Sequence, residues 1–219
     1  MADDDLRVIA CHESGHFVAD YLLRNHVAAI LSIRRVAAHH GVNVGAGRRF
    51  DFGGHDRDAP LFAQDPGFRA VVEAAIVAAL AGRVAEALAG RLAAYEEPDD
   101  DRAAERIAAS LAEQSPRDLE LLTAAEARPA PDPTDWQESD DAEAAELGFR
   151  MVGLEASAYV AWLAAVARRF VHRNADLIVP VAAELLRVTV MSGANAAAIV
   201  NQALAERTQA HEQGTPDAG

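Results

Sequence analysis

Val8-Ile9-Ala10-Cys11-His12-Glu13-Ser14-Gly15-His16-Phe17-Val18-Ala19-Asp20-Tyr21-Leu22-Leu23 decides how this chain reads. Apolar residues recur through it at helical spacing, and Asp3, Asp4 and Asp5 precede it as N-cap candidates with favourable charge for a helix start. A helix from there to about Arg24 is expected. Residues i and i+4 lie one above the other on a helix face. His12 and His16 therefore converge on one side, where two imidazoles can share a zinc ion. Glu13, beside the first histidine, is positioned to take a proton from a water that the metal acidifies. A helix supplies only two such ligands, so a third must come from elsewhere in the chain. Cys11 points about 100° away from His12 and reads as a small buried residue.

Outward from this helix, Ala28–Val36 and Val42–Phe50 are rich in β-branched residues and predict a small sheet. Residues 51–66 are heavy in Gly, Asp and Pro, hence a loop. A long apolar helix is expected from about Pro66 to Leu92, then an acidic break at Tyr95–Asp101 and a helix over Arg102–Gln114. Pro129, Pro131 and Pro133 among acids mark 127–141 as an exposed linker. Helices follow at about Asp140–Arg150, Leu154–His172, Asp176–Thr189 and Ala194–Glu206. The expected organisation is a zinc-binding core over 1–126, the linker at 127–141, helices over 142–208 packing on the same domain, and a disordered tail at 209–219. The class is mostly α, with a small β element after the first helix.

Composition narrows the chemistry. The 219 residues suffice for a proper core, and 51% hydrophobic with 25% charged residues is ordinary globular usage. A formal net charge of −14 disfavours phosphate backbones and anionic lipid surfaces, so neither nucleic acid nor membrane is an expected partner. All 20 basic residues are Arg, which removes Schiff-base lysines and the P-loop lysine. One cysteine cannot form an internal disulfide, and the acidic N-terminus is unlike a signal peptide. A cytoplasmic location is the expectation.

The stretch 8–23 resembles the zinc-binding helix of the FtsH-type ATP-dependent zinc proteases, whose motif is HEAGH. Ile30–Gly45 (ILSIRRVAAHHGVNVG) is similar to the strand segment that follows in that family. Leu80–Gly90 (LAGRVAEALAG) is similar to its next long helix, and Leu177–Val200 to its closing helices. The resemblance implies a helical, zincin-like metallopeptidase domain with Zn2+ as cofactor and a polypeptide substrate. His12 and His16 are then metal ligands and Glu13 the general base. The family's third ligand is an Asp shortly after the AGR helix, which implies Asp100, with Asp99 or Asp101 taking the role if the register slips. The Gly-Ala-Ser lead-in of the family is absent, and the three acids also read as helix-capping charge.

The resembled enzymes carry a membrane anchor and an ATPase module before the peptidase domain, and neither is expected here. The implied activity is therefore cleavage of peptides, flexible tails or unfolded chains, in a homo-oligomer or with a separate ATPase partner. The alternative class is a non-catalytic, metal-binding adaptor or regulatory protein that keeps the fold. A peptidase sharing only HExxH is a third reading, which the LAGRVAEA and MSGAN stretches disfavour. Arg83 and Glu86, three apart on an apolar helix, are expected to pair and brace the zinc helix. His39, His40 and His55 read as surface residues, Trp136 and Trp162 as packing residues. The strand near Ile30–Val36 is a candidate edge for aligning an extended substrate.

Overall fold

The computed structural model describes residues 3–28, 30–33, 42–44, 66–95 and 135–213. Helix α1 spans Asp3–Arg24, with Arg24 in its last turn, where a positive charge favours the helix dipole. It stops where Asn25 adopts φ 49°, a left-handed conformation that Asn tolerates better than most residues. Strands β1 (Ile30–Ser32) and β2 (Val42–Val44) follow. Helix α2 runs over Pro66–Ala85, passes through a 3-10 turn at Glu86–Leu88, and continues as α3 (Ala89–Tyr95). The single long helix expected over 66–92 is thus broken by one tighter turn. Helices α4 (Asp135–Val152), α5 (Ala156–Arg173) and α6 (Ala175–Val188) come next, then β3 (Val190–Ser192) and α7 (Gly193–Gln213).

The described residues are mostly helical, as expected, but the small sheet differs in two respects. It has three strands in the order β2-β1-β3, all antiparallel. Ile30 faces Val44 on one side and Ser192 on the other, so β1 is the central strand and offers no free edge to a substrate. The third strand arises because α6 ends at Thr189, whose left-handed φ of 59° turns the chain out of the helix. Its carbonyl then accepts from Ile33 N–H at 2.8 Å, extending the pairing.

Two corrections concern chain organisation. Helix α4 begins at Asp135, so 135–141 are helical and not linker; 127–134 lie outside the described residues. Helix α7 continues to Gln213, so 209–213 do not belong to a loose tail. Trp162 packs at the surface, 48% exposed and stacked on Tyr159. The helix expected at 102–114 lies outside the described residues, as do His39, His40, His55 and the side chain of Trp136.

The core has two apolar clusters that share α2. One gathers Cys11, Phe17 and Val18 of α1 with Leu31 of the sheet, Ala78, Ala81 and Ala85 of α2, and the buried face of α6. The other gathers Val72, Ile76 and Leu80 of α2 with Ala144, Leu147 and Met151 of α4 and Leu163 and Ala167 of α5. Helix α2 consists largely of Ala, Val and Gly, which lets a helix pack closely on both faces at once. Among the described residues, no helix is long and apolar enough to cross a membrane.

Candidate metal centre

His12 and His16 occupy the face of α1 that meets α2, His12 buried and His16 half-buried beside the shared helix. Their Nε2 atoms lie 3.0 Å apart. Asp140, near the start of α4, brings its Oδ2 to 3.3 Å from His12 Nε2 and 3.2 Å from His16 Nε2. The three ligand atoms thus form a nearly equilateral triangle. Ligand atoms around a tetrahedral zinc, with bonds of about 2.0–2.1 Å, stand roughly 3.4 Å apart. Among the described residues this is the one group of three potential ligand side chains close enough to share an ion.

The other nitrogen of each ring is already committed. His16 Nδ1 donates to the Ala78 carbonyl at 2.8 Å, and a carbonyl can only accept, so the proton sits on Nδ1. His12 Nδ1 lies 2.9 Å from Glu86 Oε1, a carboxylate that likewise takes a donor. When neutral, each ring therefore aims an Nε2 lone pair at the point where the Asp140 oxygen also arrives. Three electron-rich atoms within 3.3 Å of one another require a cation between them, either a metal or a proton.

Electrostatics carry the same message. Burial works against charging His16, but the Asp140 carboxylate and the Glu13 charge outweigh it and push the imidazole up to about 9. His12 is raised too, burial being offset by Asp140 and Glu86. Asp140 is desolvated, yet the two histidines hold its carboxyl well below the usual carboxylate range. Glu13 is buried, 7% exposed, and its charge reaches both rings. The site therefore prefers a positive charge at its centre; once a metal displaces the ring protons it offers two imidazole nitrogens and one anionic oxygen, a donor set suited to zinc.

Of the residues singled out in the sequence, His12, Glu13 and His16 come together here. Asp99, Asp100 and Asp101 lie outside the described residues. Asp140 stands where the expected linker (127–141) and the expected helix (140–150) overlap, and it is not among the ligands expected from the sequence. Its signal was present in the pattern: Asp140, Ala144, Leu147 and Met151 fall at i, i+4, i+7 and i+11, one face of a helix. The last three are buried, so an acid continuing their stripe points inward. Glu86 does meet α1, but through His12. Arg83 reaches Asp141, while Glu86 faces His12.

A scan against models of known protein families and a search of curated proteins both return no match for this chain.

Proposed function

We propose that this chain is a zinc-dependent metalloendopeptidase of zincin-like, helical architecture, with His12, His16 and Asp140 as metal ligands and Glu13 as general base. The observation that carries this reading is the convergence of two Nε2 atoms and one Oδ2 atom within 3.3 Å, with both Nδ1 atoms engaged elsewhere. The resemblance of HESGH and LAGRVAEA to the FtsH-type peptidases agrees with it. When bound, zinc would supply Lewis acidity to a substrate carbonyl and lower the pKa of water toward about 7.

The chain's own residues do the rest. The Glu13 carboxylate accepts the proton of the attacking water and hands it to the amide nitrogen as the peptide bond breaks. Its burial beside two ligands keeps that transfer away from bulk solvent. Glu86 and the Ala78 carbonyl hold each imidazole in the tautomer whose Nε2 carries the lone pair. The substrate class is unfolded or flexible polypeptide, the setting is cytoplasmic, and a separate ATPase or a homo-oligomer would extend its reach to folded chains.

The test is hydrolysis of an unstructured protein such as casein by the zinc-loaded chain, with Glu13→Gln and chelator controls. Cleavage that Glu13→Gln abolishes while zinc stays bound is expected. Zinc retained without cleavage by the parent would favour the metal-binding adaptor. Zinc lost in Asp100→Ala but kept in Asp140→Ala would return the third ligand to Asp100.

A further inference from the structure

Helix α2 contributes no ligand to the candidate centre, yet one of its residues controls where a ligand can be. A Cβ placed on Gly82 would lie 2.2 Å from His16 Nε2, 2.6 Å from its Cδ2 and 2.7 Å from its Cε1. Its three nearest neighbours are thus all atoms of one imidazole ring. Gly82 follows Ala78 by four residues, so both sit on the same face of α2. The ring is anchored at Nδ1 by the Ala78 carbonyl, 2.8 Å away, and passes over the bare Cα of Gly82 with Nε2 directed at Asp140. A methyl group at 82 occupies that volume and swings the imidazole away.

Gly15, the other glycine at this helix crossing, behaves differently. A Cβ there would meet Ala85 Cβ at 2.5 Å and the Ala81 carbonyl oxygen at 2.8 Å. Backbone cannot turn aside, so a side chain at 15 pushes the helices apart. The three atoms nearest a Cβ at 82 all belong to a side-chain ring, which can move. We propose that Gly82 is a positioning residue: its missing side chain reserves the slot that aims His16 at the metal, and thereby sets metal affinity without contacting the ion. This inference rests on the metal-site reading above.

The experiment is a double-mutant cycle of Gly82→Ala and His16→Ala, read by zinc affinity in competition with a chromophoric chelator and by the melting temperature of each metal-free protein. Gly82→Ala in the parent should weaken zinc at least 10-fold, the range seen when a residue supporting a ligand is removed. In the His16→Ala background the same change should cost no further affinity. It should not lower the melting temperature there either, since Ala is the better helix former. If Gly82→Ala folds poorly by itself, recovery of folding in the double variant supports the contact, and failure of both variants overturns it. A Gly82→Ala protein that binds zinc like its parent overturns the inference and leaves the metal site standing. A parent that binds no zinc refutes the metal site instead, and the stability arm of the cycle still decides whether His16 and Gly82 exclude a methyl group.

Discussion

Zinc should stabilise this protein, and Asp140→Ala should remove most of that stabilisation. The ligand triangle, with sides of 3.0, 3.2 and 3.3 Å, is a property of the folded chain, because its members come from positions 12, 16 and 140. An ion that binds only the native state stabilises it by about 2.7 kcal/mol at a free concentration 100 times Kd. For a chain of this length each kcal/mol moves the melting temperature by roughly 2–4 °C, so the expected rise is about 5–11 °C. Losing a ligand must cost more than losing its supporting partner, which takes 10–100-fold from affinity. At the same zinc concentration a 100-fold weaker site retains about 0.4 kcal/mol, or roughly 1–2 °C. Differential scanning fluorimetry measures this directly, each variant compared with its own metal-free form so that the carboxylate's effect on the apo protein cancels. A full zinc-induced shift in Asp140→Ala would refute the argument that Asp140 completes the centre.

Glu86→Ala should weaken zinc by about 10–100-fold by releasing His12 Nδ1, measured by chelator competition; unchanged affinity would show that the 2.9 Å contact does not hold the ring. Arg83→Ala removes an ion pair with Asp141 whose two side chains are about half exposed, and should cost less than about 1 kcal/mol in urea unfolding. Met151→Ala empties a fully buried position in the α2-α4-α5 cluster and should cost about 2–5 kcal/mol, with zinc affinity falling alongside because α4 carries Asp140. Tyr159 is pushed up to about 12 by burial and by its hydrogen bond to Glu73, so its neutral form is favoured in the fold. That contribution is complete below the ordinary value near 10 and lost as pH rises toward 12. In an absorbance titration one of the three tyrosines should ionise late, and earlier in Glu73→Gln; simultaneous ionisation of all three in the parent would contradict the bond.

What was legible in the sequence follows from how far each contact reaches along the chain. His12 and His16 could be paired from spacing alone, because helix geometry brings i and i+4 together before any tertiary contact forms. Asp140 meets His16 across 124 positions, and only packing determines that meeting. Its nearest sequence cue, the stripe through Ala144, Leu147 and Met151, lies in the helix expected from about Asp140, but the prolines at 129, 131 and 133 make the acids just before it read as linker. Likewise β1 and β2 show in the β-branched run after α1. β3 is three residues between two helices and gains its meaning only by pairing with Leu31 and its neighbours.

The same division explains how the site is built. Its two histidines stand on α1, in the cluster that includes the sheet and α6, while Asp140 rides on α4, in the cluster with α5. Helix α2 belongs to both clusters, and it also carries Ala78, Gly82 and, just beyond its end, Glu86, the residues that shape the two imidazoles. Ligands from two separately packed layers can register to within a few tenths of an ångström only if one rigid element sets both layers. A close-packed helix of small residues does this, because it leaves its neighbours little room to shift. Metal affinity should therefore be more sensitive to volume changes along α2 than along α7, which packs mainly on α6 and β3.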